Sequence, residues 1–155
     1  MTVNIIIPAK PHIKKYWEKR FGREYKISND MFFGKLIVNV LDMKIDKPLD
    51  IDRKIYSEVI RIKIPKFYFN TKGHSIGHNK IRFLSLLIDK LFYEEMHSFI
   101  DVSIALGEIS AIQALRIFLA YYGLSEDDCK SESLYRSYQR HCNEKINDKK
   151  KILKN

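Results

Sequence analysis

One segment is a run of β-branched residues, another alternates apolar and polar positions, and five others place apolar residues at helical spacing. Val3-Asn4-Ile5-Ile6-Ile7-Pro8 is β-branched and closed by proline, which predicts a short strand. Across Tyr56 to Phe69, Ile60, Ile62 and Ile64 alternate with Arg61 and Lys63 before Pro65, which predicts a second strand that ends, bends or lies at an edge there. Both segments end in Ile-Pro followed shortly by lysine, so the two are expected to pair.

The helical stretches follow in order. Lys10 to Phe21 carries Ile13, Tyr16, Trp17 and Phe21 on one side and stops at Gly22. Met31 to about Leu41 follows Ser28-Asn29-Asp30, which has the residue types of a cap. Lys80 to Leu106 shows a stripe of Leu84, Leu87, Ile88, Leu91, Phe92, Phe99, Val102 and Leu106, with Asp89, Glu94, Glu95 and Asp101 expected on its outer side. Ile109 to Tyr122 places Ile112, Leu115, Ile117, Phe118 and Tyr122 at core spacing and ends at Gly123, a residue suited to a left-handed cap. Ser125 and the acids after it suggest a cap for a last helix, roughly Ser131 to Asn143. The expected fold is therefore α+β: a mostly helical single domain over 1–143 with a small two-stranded sheet and a C-terminal helix-turn-helix-like unit. Residues 144–155 are expected to be a basic, flexible tail.

Composition narrows the function classes. The chain has 155 residues, 45% hydrophobic and 12% aromatic, enough for a core and unlike a disordered segment. Its net charge of +9 makes a polyanion the first partner to consider. Cys129 and Cys142 flank the last helix, roughly 20 Å apart at helical rise, so free thiols and a cytoplasmic location are expected. No charged segment followed by a long apolar core opens the sequence, and no uncharged apolar run reaches membrane-spanning length, so neither a secretory leader nor a membrane partner is expected.

Two basic regions stand out. Lys10, Lys14, Lys15, Lys19 and Arg20 lie on the first helix; Lys63, Lys66, Lys72, Lys80 and Arg82 lie further along. These ten are the candidate phosphate anchors, because sequence-independent nucleic-acid binding needs several cations on one flank. On the last helix Tyr135, Arg136, Gln139 and Arg140 are the candidate readers of bases or shape, since Arg pairs with guanine and Gln with adenine in a major groove. The acids Glu126, Asp127, Asp128 and Glu132 argue against an approach by the helix N-terminus. The glycine-containing segment Asn70 to Arg82 has the composition of a phosphate-holding loop, although it lacks the order GxxxxGK[ST]. His74 and His78 have no third ligand placed nearby in sequence, so no metal or cofactor is expected. No hydrolase, metalloprotease or kinase motif is present, and a non-enzymatic protein is expected.

The turn Ala-Leu-Arg-Ile-Phe-Leu-Ala-Tyr-Tyr-Gly-Leu-Ser and the helix Leu-Tyr-Arg-Ser-Tyr-Gln-Arg resemble small helix-turn-helix-like proteins of bacterial mobile elements or phages. The resemblance covers about the last fifth of the chain and implies a DNA-binding regulator or accessory factor. The positions six and nine after the turn glycine, apolar in a standard motif, are Cys129 and Glu132. Two further classes stay open: a protein–protein adaptor for an acidic partner, and an RNA binder whose tyrosines stack on unpaired bases.

Overall fold

The computed structural model describes residues 1–72, 76–107 and 109–153, and within them not the side chains of residues 69, 71 and 72. The fold is α+β and mostly helical, with elements in the order β1 (Thr2–Ala9), α1 (Pro11–Phe21), β2 (Glu24–Lys26), α2 (Phe32–Asp42), β3 (Glu58–Pro65), α3 (Lys66–Lys72), α4 (His78–Leu106), α5 (Ala111–Tyr122) and α6 (Ser131–Ile152). Contacts within the chain group into two compact units, Met1–Leu91 and Phe92–Asn155.

In the first unit the two isoleucine-rich strands pair as expected, antiparallel, with Ile5 opposite Ile62 and Ile7 opposite Ile60. The sheet has three strands rather than two, in the order β1-β3-β2. Its third strand is the short Glu24–Lys26 segment, which pairs parallel to β3. Three residues are too few to display a period, so composition alone does not reveal it. Ile5, Ile7, Tyr25, Ile60, Ile62 and Ile64 point inward and are buried. Trp17 of α1 packs among them, with ring centroids 4.4 Å from Phe21, 4.9 Å from Phe33 and 5.6 Å from Tyr25.

The second strand stops at Pro65, and Lys66–Lys72 is helix rather than the strand continuation expected to Phe69. Aromatic residues there raise strand propensity, but the proline has no N–H for a ladder and suits a helix start. Helix α2 begins without a side-chain cap; Ser28 Oγ instead accepts from the Asp30 N–H in a local turn. Gly34 of α2 lies so close to the Ser28 carbonyl that a Cβ there would overlap it.

A buried ion pair holds the start of α1 against α4. Lys10 Nζ lies 2.7 Å from Asp89 Oδ2, which also accepts the Tyr56 hydroxyl at 2.6 Å, and the ammonium sits 5.1 Å from the centre of the Tyr56 ring. Asp89, expected on the outer side of α4, is thus buried. The reason is local: an inward carboxylate is tolerated where a cation and a hydroxyl both reach it.

In the second unit the buried residues of α4 are Phe92, Met96 and Ile100, continuing the four-residue spacing of Leu84 and Ile88. Phe99, Val102 and Leu106, expected in the stripe, are partly or largely exposed. Helix α5 opens with a reciprocal capping box between Ser110 and Gln113 and ends at Gly123 in the left-handed conformation, φ 65°. It buries Ala114, Leu115 and Phe118, whereas Ile112 and Ile117 face solvent. Helix α6 starts at Ser131, where the Glu126 carboxylate accepts from both the Ser131 N–H and hydroxyl. It runs to Ile152, past the expected end near Asn143, and Lys149, Lys150 and Lys151 in its last turn complement the negative pole of the helix.

Adjacent residues of β1 test the assigned faces. Ile7→Ala is expected to lower unfolding stability in urea by about 2–5 kcal/mol, and Ile6→Ala by less than about 1 kcal/mol; equal losses would contradict the register. Gly34→Ala is expected to shift the urea midpoint down by more than an alanine substitution at an exposed α2 position such as Lys35.

Candidate nucleic-acid interface

The outward residues of the sheet follow from the same alternation that buries the isoleucines. Ile6, Arg61 and Glu24 form one row across the three strands, and Asn4, Lys63 and Lys26 the next. No inward-facing residue belongs to these rows, and their side chains are exposed or half-exposed. Lys63 Nζ binds Glu24 Oε2 at 2.5 Å, which holds the Glu24 carboxyl below its ordinary range. Among the described residues Arg61 and Lys26 carry no hydrogen bond or ion pair. Beyond the end of β3, Phe67 is 70% exposed beside Lys66, and with Lys26, Ser28, Pro65 and Tyr68 it lines an open depression.

The structure separates the ten candidate anchors. Lys10 is committed to Asp89, Lys14 to Glu58 at 2.7 Å and Lys63 to Glu24. Lys80 Nζ donates to the Leu41 carbonyl and Arg82 to the Leu49 carbonyl, each at 2.5 Å, so they bind the last turn of α2 and the chain that follows it to the start of α4. Lys15, Lys19 and Arg20 lie exposed on α1, with Arg20 against the Phe21 ring at 5.1 Å. Lys66 is exposed, with Nζ 3.6 Å from Met1 Sδ. The Lys72 side chain, and Gly73 and His74 of the glycine-containing loop, lie outside the described residues. Lys26 and Arg61, outside the ten, join the outward face through the three-strand register.

The charge divides sharply between the units. Met1–Leu91 contains nineteen Lys and Arg against nine Asp and Glu; Phe92–Asn155 contains nine against ten. A net +10 on one body and −1 on the other concentrates the field that draws a polyanion.

Helix α6 has its own polarity. Leu134, Tyr138, His141 and Lys145 share the side that packs within the unit. On the opposite side, at 100° per residue, Arg136, Gln139, Arg140, Asn143, Asn147, Lys150 and Lys151 fall within one arc of about 120°, and all are exposed. Tyr135 lies off this arc and is half-buried. Arg136 also pairs with Glu132 at 2.5 Å. Two of the acids before α6 are engaged locally: Glu126 caps the helix, and Asp128 accepts from the Ser125 N–H at 2.9 Å.

The packing side of α6 builds a cluster with α4 that sequence spacing did not expose. Asp101 accepts from Tyr138 at 2.8 Å and from Lys145 at 2.5 Å, with His141 Nε2 at 3.5 Å. His97, one turn before Asp101, stacks on His141 at 4.5 Å between centroids and lies 3.2 Å from Ser137 Oγ. Partial burial pushes the Asp101 carboxyl up, but the hydrogen bonds from Lys145 and Tyr138 together hold it below its ordinary value. Burial, with hydrogen bonds to Cys142 and Asp101, raises the Tyr138 phenol. Burial and then repulsion from His141 pull His97 down to about 4, against attraction from Asp101 and Glu94. The Asp101 carboxylate meets His141 while Ser137 meets His97, so no single imidazole joins Ser137 to that carboxylate. The detectable signals were the i,i+4 pair His97 and Asp101 and the stripe Tyr138, His141, Lys145; which helix meets which is a tertiary property.

Among the described residues no group of three His, Cys, Asp or Glu is placed to hold a metal ion, and both cysteines are free thiols. No described helix is long and apolar enough to cross a membrane. No protein-family model, curated protein or solved structure matches the chain.

Because folded His97 binds its proton more weakly than an unfolded imidazole near 6.5, this residue destabilises the fold as pH falls from about 6.5 toward about 4. Thermal unfolding across that window is expected to show a falling Tm, and His97→Gln is expected to flatten the decline. An unchanged slope in the variant would assign the pH dependence to other groups.

Proposed function

We propose that this protein binds nucleic acid, foremost double-stranded DNA, as a non-enzymatic regulator or accessory factor of a mobile element or phage. The observation that carries the reading is the charge division, +10 on Met1–Leu91 against −1 on the rest. Sequence-independent affinity comes from cations that displace counterions from phosphates, and the first unit concentrates them. Its exposed lysines and arginines on α1 and the outward sheet face contact the backbone. The exposed arc of α6 supplies base contacts, since it combines Arg, Gln, Asn and Lys with no acid between Gln139 and Asn143 on that arc. The stretch Arg136 to Lys151 is about 22 Å long, and a major groove admits a helix. The origin in a mobile element or phage rests on the resemblance of the turn before α6.

A second reading is favoured by one observation. Phe67, largely exposed and lining one depression with Lys26, suits stacking on an unpaired base, as single-stranded DNA or RNA would offer.

Fluorescence anisotropy with labelled duplex, single strand and RNA, as salt is raised, tests the reading. Duplex affinity is expected to fall by about 10³ between 50 and 200 mM salt if about six phosphates are contacted. Lys26→Ala with Lys66→Ala is expected to weaken all sequences alike and flatten the salt slope; Arg136→Ala with Arg140→Ala is expected to reduce sequence preference. Absence of binding to any of the three near 50 mM salt would refute nucleic-acid binding. Tighter binding to single strand than to duplex would transfer the function to the second reading.

A further inference from the structure

One cavity in the first unit has the chemistry of a ligand site, and it shares Arg61 with the outward sheet face. About 360 Å³ in volume, it is lined by Lys14, Trp17 and Glu18 of α1, Arg23 and Glu24 at the start of β2, and Val59, Ile60 and Arg61 of β3. That volume lies in the range of small-molecule sites. The cationic side chains of Lys14, Arg23 and Arg61 meet there beside Trp17. Arg23 and Arg61 are exposed and donate no hydrogen bond among the described residues, while Arg61 lies across from Glu24 and helps to hold that carboxyl below its ordinary range. Trp17 is 1% exposed, and its buried Nε1–H has no acceptor among the described residues. Most buried donors in folded proteins have a partner, and leaving one unpaired is unfavourable.

We infer that this cavity binds a nucleoside monophosphate, either free or as the 5′-terminal nucleotide of a strand. Two guanidiniums without internal acceptors provide the planar donor pairs that match phosphate oxygens, and the second negative charge of a terminal phosphate distinguishes it from a diester within a strand. Lys14 adds positive charge at the rim, although Glu58 holds its ammonium. The two carboxylates explain why the ligand is larger than phosphate alone. Glu24 is balanced by Lys63, and Glu18 offers acceptor oxygens that suit sugar hydroxyls. The buried indole N–H then has an acceptor in the ligand's phosphate or base.

Trp17 is the chain's sole tryptophan, so its emission reports on the cavity directly. The full chain is titrated with adenosine monophosphate, adenosine, inorganic phosphate, and matched oligonucleotides bearing a 5′-phosphate or a 5′-hydroxyl. Trp17 emission and calorimetric heat are followed together. Adenosine monophosphate is expected to give saturable binding at least tenfold tighter than either adenosine or phosphate. If the source is a strand end, the 5′-phosphorylated oligonucleotide binds at least tenfold tighter than its 5′-hydroxyl twin; if it is a free nucleotide, the two oligonucleotides bind alike. Arg23→Gln with Arg61→Gln is expected to abolish the tenfold preference while leaving Tm unchanged, and Arg23→Gln alone provides a check should the double variant unfold early. No saturable signal from adenosine monophosphate and the 5′-phosphorylated strand, or equal affinity for adenosine and its monophosphate, would overturn the assignment. Because this cavity is separate from Lys26 and Lys66, salt-sensitive duplex binding that ignores the 5′-phosphate would remove the cavity's role and leave nucleic-acid binding standing.

Discussion

Strand β3 makes two surfaces from one period, and the first unit depends on it. Its inward residues, Ile60, Ile62 and Ile64, are nearly inaccessible and sit between two pairing partners; its outward residues, Val59, Arg61 and Lys63, are more exposed. A one-residue slip would bury Arg61 and Lys63 and expose three isoleucines, so the ladder with β1 and the hydrophobic core enforce the same register. The basic face is therefore a consequence of how the core forms.

Cations in this protein have two distinct occupations. Lys10, Lys14, Lys63, Lys80 and Arg82 each bind a carboxylate or a backbone carbonyl within the first unit. Losing the Lys10 partner would leave Asp89 as a buried, poorly compensated charge, a far larger effect than losing a solvated lysine. Lys26 and Arg61 are exposed on the outward sheet face, where a phosphate can reach them. A net charge alone cannot separate these occupations; distances to named acceptors do. The same holds for the acids before α6, where Glu126 acts as a cap rather than as a barrier to an approaching polyanion.

Long periodic stretches were legible in the sequence. The two isoleucine strands, their pairing, the start of α1 within a residue, the glycine ends of α1 and α5, and the α+β class all follow from side-chain period and backbone preference. Short or tertiary features were not. Strand β2 exists because β3 has an open edge beside it, and Asp89 is inward because Lys10 and Tyr56 reach it. Ile112, Ile117, Phe99 and Val102 fit a helical apolar stripe yet face solvent, since spacing sets which residues share a side and packing sets which side is covered. Of the candidate interface, Arg136, Gln139 and Arg140 were readable as one helical face; its extension through Asn143, Asn147, Lys150 and Lys151 required the helix to continue to Ile152. Arg61 and Lys26 entered only through strand register, and the cavity around Trp17 through the meeting of α1, β2 and β3.

Nucleic acid is proposed to bind the first unit's outward sheet face and the exposed arc of α6. Amide and side-chain chemical shifts of the full chain, followed while duplex DNA is added at low salt, test it most directly. Perturbations are expected to concentrate at Lys26, Arg61, Lys63 and Lys66 and at Arg136, Arg140, Asn143 and Asn147, with Leu134 and Ile62 little changed. Perturbations confined to the solvent-facing residues of α5, or none at any position, would contradict it.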